Sequence, residues 1–199
     1  MSNQIRCQRF CVCDGQQEAE YLKHLGRLLK TETRIVTFNT KIGKPESVFR
    51  NNPNIKTIKA AVFDHDGAAV DFERAIKACA KYKGEAAYSN RNFDLWLLLH
   101  KQPFSKSVTN NDDYVNHVRK AYGLDNDADI KKEKEMERIL KQITLQDVKT
   151  AIHNVKAIRN SKIKSDAKKI GKVEVYDNPD LMIHQFIEDV FKECDEPIT

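Results

Sequence analysis

Apolar positions in the first half of the chain alternate between short continuous runs and helical spacing. Residues 9–13 (RFCVC) form the first run, and Asp14-Gly15 after it marks a turn. From 17 to 30, Tyr21, Leu22, Leu25, Leu28 and Leu29 recur at the three- and four-residue spacing of an amphipathic helix. A second strand is predicted over 34–38, followed by a polar loop rich in Asn, Lys and Pro as far as 54. The run 57–63 (TIKAAVF) reads as a buried strand and ends in Asp64-His65-Asp66-Gly67. Phe72, Ala75, Ile76 and Cys79 place a helix over 70–82. A short strand over 85–88 and a strongly apolar helix from 93 to 100 follow. Strand and helix trade places four times, which predicts an α/β fold with a mostly parallel sheet flanked by helices.

The second half reads differently. Helices are predicted over 112–122, 131–140 and 145–159, the last with Leu145, Val148, Ile152, Val155 and Ile158 on one stripe that must dock on something. Asn178-Pro179-Asp180 marks the start of a terminal helix over 181–191. The expected organisation is an α/β core over 1–102 and a helical extension over 103–199 packed on it.

Composition narrows the class. Hydrophobic residues at 40% and charged residues at 32% are those of an ordinary globular chain. Seven Gly and five Pro exclude collagen-like and low-complexity readings. The longest apolar run, Leu95-Trp96-Leu97-Leu98-Leu99, is far short of the roughly 18 residues of a membrane span, so no membrane partner is expected. The polar segment 1–9 lacks the apolar centre of a secretory signal. Cys7, Cys11, Cys13, Cys79 and Cys194 are odd in number and unevenly spaced, which argues against a disulfide framework and for a reducing cytoplasm.

Open α/β sheets place their ligands at strand C-termini. Two predicted strands end there in acid followed by glycine: Cys13-Asp14-Gly15 and Phe63-Asp64-His65-Asp66-Gly67. On an extended backbone Asp64 and Asp66 point to one side and His65 to the other. Carboxylates so close repel unless a cation sits between them, and a hard cation such as Mg²⁺ suits a site of two or three Asp, with Asp14 completing it. Taken singly, each motif is explained as well by a turn or a helix cap; two at successive strand ends favour the metal. A third block runs from Tyr88-Ser89-Asn90-Arg91-Asn92 through Phe93-Asp94 to His100. Ser89 or Asn90 would cap its helix, and Phe93, Trp96, Leu97 and His100 share one face as core. Arg91 and Asp94 beside the helix start are left over, where a phosphate or a second metal would fit. His100 reads as a satisfied core residue.

Cys13-Asp14-Gly15, Asp64-His65-Asp66, and Ser89-Asn90 through Phe93-Asp94 to Leu97-Leu98-Leu99-His100 resemble, in order, three blocks of the RloB family. The resemblance continues weakly at Ala157 and Asn178-Pro179. That family has a Toprim-like fold and is found among bacterial restriction and anti-phage loci. By this resemblance Asp14 is the acid of the first Toprim block, Asp64 and Asp66 its Asp-x-Asp pair, and Asp94 the acid of the third. The family usually carries Glu at the positions of Asp14 and Asp94 and Pro at that of Arg91. Its threonine–glutamate pair after the first glycine is replaced here by Glu18 at altered spacing.

The resemblance implies a Mg²⁺- or Mn²⁺-dependent nuclease acting on RNA or DNA in anti-phage defence, with a partner ATPase. Asp14, Asp64 and Asp66 would hold the metal, and Glu18 or Asp94 would act behind them or hold a second ion. Two rival readings remain. A degenerate Toprim-like module would bind nucleic acid or a partner protein without cleaving, as the two shortened acids suggest. Alternatively, Val62-Phe63-Asp64-His65-Asp66-Gly67 resembles the first motif of haloacid-dehalogenase phosphatases, in which Asp64 would be the nucleophile.

Charge is consistent with a nucleic-acid partner. The chain carries a net +5, and the segment 156–172 alone is +6, from Lys156, Arg159, Lys162, Lys164, Lys168, Lys169 and Lys172 against Asp166. The other reading of that segment is a solvated helix end followed by a basic loop, since no aromatic interleaves it to stack bases.

Overall fold

A computed structural model describes residues 5–198; residues 1–4, which begin the polar N-terminal segment, and residue 199 lie outside the described part. The elements are β1 (Ile5–Cys13), α1 (Gln16–Leu29), β2 (Arg34–Ile42), α2 (Pro45–Asn51), β3 (Ile58–Asp64), α3 (Ala69–Lys81), β4 (Gly84–Asn90) and α4 (Phe93–Leu99). They continue with α5 (Asn111–Ala121), α6 (Glu133–Lys141), α7 (Leu145–Asn160), β5 (Lys168–Ile170), β6 (Val173–Val175), β7 (Asp180–Leu181) and α8 (Ile183–Glu193). The main sheet has the order β2-β1-β3-β4-β7, parallel throughout except for β7. The fold is therefore mixed α/β, with a mostly parallel five-stranded sheet flanked by helices, consistent with a Toprim-like fold.

β1 is an interior strand, buried on both faces from Arg9 to Cys13, and its alternation assigns the faces. Cys7, Cys11 and Cys13 join Tyr21, Leu22, Leu25 and Leu29 of α1, together with α4, α7 and α8, in the larger core. Phe10 and Val12 point the other way, into a smaller core with Phe49 of α2, Phe63 of β3, Phe72 and Ile76 of α3, and Tyr88 of β4. The five thiols are all buried and free. Gly26 lets α1 approach the sheet closely, because a Cβ there would stand 3.1 Å from the carbonyl oxygen of Val36. The seven residues of α4 are all buried, which explains why its sequence shows almost no polar face.

Four features depart from the sequence expectation. The strands β1 and β2 are longer than the apolar runs, because pairing extends over polar positions at sheet ends. The loop 39–54 contains α2, which starts on Pro45 and buries little beyond Phe49, too few apolar positions to show a period. The basic segment starts in the last turn of α7, and its end forms β5 of the hairpin β5–β6, which turns at Gly171 with φ +62°. Asp180 and Leu181 add β7 to the main sheet, and the terminal helix starts after them at Ile183.

Candidate metal and nucleic-acid site

The strand order fixes where a site can form. The chain leaves β1 toward β2 on one side and reaches β3 on the other, so the crevice at the C-terminal ends of β1 and β3 is the switch point of the sheet. Asp14 is the first residue beyond β1, its N–H donating to the Val62 carbonyl at 3.0 Å. Asp64 is the last residue of β3. Asp14 and Asp64, 50 positions apart in sequence, therefore emerge side by side, and the Asp14 carboxylate accepts the backbone N–H of Asp64.

Asp66 reaches the same place by another route. Past the end of β3 the strand alternation stops, and Asp66 and Gly67 take left-handed backbone, φ +43° and +77°. Asp14, Asp64, His65 and Asp66 line one cavity of about 260 Å³, whose other wall carries Lys44, Asp71 and Arg74. The His65 ring rests on Phe72, centroids 4.7 Å apart, and its Nδ1 accepts the N–H of Gly67 at 3.1 Å.

Two further acids stand behind these three. Glu18, on the first turn of α1 and 4% exposed, folds back so that its Oε2 accepts the N–H of Gly15 at 2.9 Å. Asp94, on the first turn of α4 and 1% exposed, accepts from the Gln17 amide at 3.1 Å. Burial and the fields of Asp14 and Asp94 push the Glu18 carboxyl up to about 7. Burial chiefly, with Asp66 adding to it, pushes Asp94 up to about 6. Asp64 is raised well above the usual carboxylate range, first by burial and then by Glu18 and Asp66. Asp14 is raised by burial and by Asp66, against an opposing pull from Lys44. These acids feel one another as a cluster does.

Asp64 keeps a buried oxygen, Oδ1, without a donor in the cavity it lines with Asp14 and Asp66, and Asp94 Oδ2, Asn92 Oδ1 and Asn111 Oδ1 are likewise without one on a separate cavity that those three residues line. Acceptor oxygens left without donors are costly, and hard oxygen donors are what Mg²⁺ or Mn²⁺ takes. The donor set thus fits such a cation. Among the described residues, however, no three His, Cys, Asp or Glu side chains already converge into a closed coordination shell.

Sequence reasoning missed the side chains that position the acids. Gln17 holds Asp94, and Asn111 donates to Asp66 Oδ1 at 3.1 Å. Both come from outside the motifs, and nothing in the sequence marks them. Asn92 lies within the third block and was legible only as a neighbour of its helix start. His100 is a satisfied core residue: its Nδ1 donates to the Trp96 carbonyl at 2.8 Å, leaving Nε2 to accept from the Tyr21 hydroxyl at 3.0 Å.

The chain belongs to the RloB-like family. The family model described as RloB-like protein matches residues 10–190, which contain every carboxylate of the site. No curated protein and no solved structure matches the chain.

The basic residues of 156–172 have diverse partners. Lys156 pairs with Glu188, Arg159 with the fully buried Asp180, and Lys168 with Glu73 at 2.7 Å. Lys162 donates to the Asp177 carbonyl at 2.8 Å. Lys164 and Lys169 are exposed and make no ion pair among the described residues. Arg91 is half-buried at the rim of the acidic site, its guanidinium donating to the Thr109 carbonyl.

Proposed function

We propose that the chain is a Mg²⁺- or Mn²⁺-dependent phosphodiester hydrolase acting on RNA or DNA. The observation that carries this reading is the crevice between β1 and β3, where Asp14, Asp64 and Asp66 line one cavity and Asp64 keeps a buried oxygen without a donor. Asp14, Asp64 and Asp66 would hold the cation, which supplies an activated water and neutralises charge on the phosphate. Glu18 and Asp94 stand behind them and fix the local field, Glu18 by tying the start of α1 and Asp94 by tying α1 to α4 through Gln17. Lys164 and Lys169, with Arg91 at the rim, would meet the phosphates of the strand. On the resemblance carried by the three motifs, we place the activity in anti-phage defence, alongside a partner ATPase.

One observation favours a second reading. Because no three acidic side chains among the described residues are already closed around a point, a module that binds nucleic acid or a partner without cleaving is the alternative. A single experiment separates the two. The protein is incubated with pooled labelled RNA and with DNA, in Mn²⁺, Mg²⁺ or EDTA, beside Asp64→Asn. Metal-dependent cutting that Asp64→Asn reduces by about a hundredfold or more supports the hydrolase. Neither cutting nor thermal stabilisation by either metal gives the binding module.

A further inference from the structure

A second cavity, of about 410 Å³, shares His65 with the acidic one and is lined by Gly67, Asn90, Arg91, residues 107–109 and residues 177–178. Its wall is built by side chains that tie the separate segments together. The amide of Asn178 donates to the Val108 carbonyl at 2.7 Å and accepts from the Tyr114 hydroxyl at 2.7 Å. The guanidinium of Arg91 crosses to the Thr109 carbonyl, and Asn90 donates to the Tyr176 carbonyl at 3.0 Å.

What this wall offers is donors and positive charge. Arg91 lines the groove and makes no ion pair among the described residues, its guanidinium held only by the Thr109 carbonyl. The hydroxyls of Ser107 and Thr109 are exposed, with no partner among the described residues. Asp177 is the single carboxylate on the lining, and the Lys162 ammonium sits on the carbonyl of that same residue.

A polyanion arriving at the acidic cavity is repelled by it and needs an anchor of opposite charge close by. We propose that this groove binds a backbone phosphate of the nucleic acid neighbouring the one held at the carboxylates. Arg91 is its charge partner, and Ser107 and Thr109 are its orienting donors. The proposal rests on the hydrolase reading for the identity of the strand, and it assigns a role to two residues outside every motif.

The test is fluorescence anisotropy in EDTA, with labelled single-stranded RNA and DNA of about 12 nucleotides titrated over a range of salt. Arg91→Gln is expected to weaken binding about five- to tenfold and to lower the salt slope by about one. Ser107→Ala with Thr109→Val is expected to weaken it about two- to threefold at unchanged slope. An Arg91→Gln protein that melts like the parent and binds with the parent's affinity and slope overturns the proposal. Should Arg91→Gln fail to fold, the exposed double variant decides, and parental affinity there overturns it equally. A parent that binds neither strand also overturns it. A parent that binds through the groove yet never cuts in Mn²⁺ refutes the hydrolase reading and leaves the groove standing. A parent that cuts while all groove variants bind normally does the reverse.

Discussion

At the end of β3, burial and the fields of Glu18, Asp66 and Asp94 all oppose ionisation of Asp64. A carboxylate so placed costs stability whenever it is ionised without a counter-ion. Asp64→Asn removes the charge and keeps the shape. In EDTA at neutral pH the variant is expected to be about 1–2 kcal/mol more stable than the parent in urea unfolding. Mn²⁺ should raise the parent's melting temperature and leave the variant's nearly unmoved. An Asp64→Asn protein less stable than the parent in EDTA would remove the repulsion argument. Glu85 on β4 offers a pH test away from the site. Burial, with Asp189 and Glu193 adding to it and Arg9 opposing, pushes its carboxyl up to about 7 from an ordinary 4.5. The unfolded chain therefore ionises first, so the parent loses stability as pH rises from about 4.5 to about 7 and the loss is then constant. Glu85→Gln should gain about 1 kcal/mol over the parent at pH 8, after allowance for partial solvation, and the gain should vanish below pH 4. A gain independent of pH would assign the effect to packing instead. At this scale the acids were legible, because Asp14, Asp64, Asp66 and Asp94 follow strand ends or start a helix. Gln17 and Asn111 were not, since their roles arise only when segments 77 and 45 residues apart meet.

The smallest strand has the most elaborate polar support. β7 is two residues long and pairs only with Ser89 and Asn90, immediately before Arg91 and Asn92 at the site. Asp180, with no exposure, accepts from the Tyr88 hydroxyl at 2.7 Å and the Tyr176 N–H at 2.9 Å, and pairs with Arg159. Arg159 also lies over the Tyr176 ring at 5.1 Å. Removing the acid strands a guanidinium that is largely buried. Asp180→Ala is therefore expected to cost about 3–5 kcal/mol, and Asp180→Asn, which keeps the shape and some hydrogen bonds, about 2 kcal/mol. Urea unfolding of both variants checks this, and a cost below about 1 kcal/mol for Asp180→Ala would show that β7 is held by its apolar neighbours. The long periodic elements α1, α3 and α7 were readable because each buries a continuous stripe. α2, β5, β6 and β7 were hidden for the opposite reason. Their order comes from tertiary contacts and hydrogen bonds, and in the hairpin only Ile170 and Val175 are buried.

Over the whole molecule, the excess of positive charge is concentrated in one segment, but folding divides that segment by partner. Lys156, Arg159 and Lys168 are committed to Glu188, Asp180 and Glu73, so their charges are already compensated. Lys164 precedes the hairpin, Lys169 lies on β5 across from Glu174, and Lys172 sits beside the turn, all three exposed. The opposite, inward side of β5 places Ile170 in the smaller core, and Lys168 reaches far enough toward the acidic cavity to help hold down the titration of His65. Lys169 and Lys172 on the hairpin, and Lys164 just before it, thus make no ion pair among the described residues and sit on a support fixed next to the site. Each phosphate neutralised by such a lysine releases a counter-ion, so salt dependence counts the contacts. Lys164→Gln, Lys169→Gln and Lys172→Gln combined are expected to lower the slope of log affinity against log salt by about two to three, whereas Lys156→Gln should leave it unchanged. Anisotropy titrations of one labelled strand at four salt concentrations measure both. Equal effects from the triple variant and from Lys156→Gln would mean that the field of the whole surface, rather than the hairpin, gathers the strand. A slope unmoved by either would shift the phosphate contacts away from the segment and onto the Arg91 side of the site.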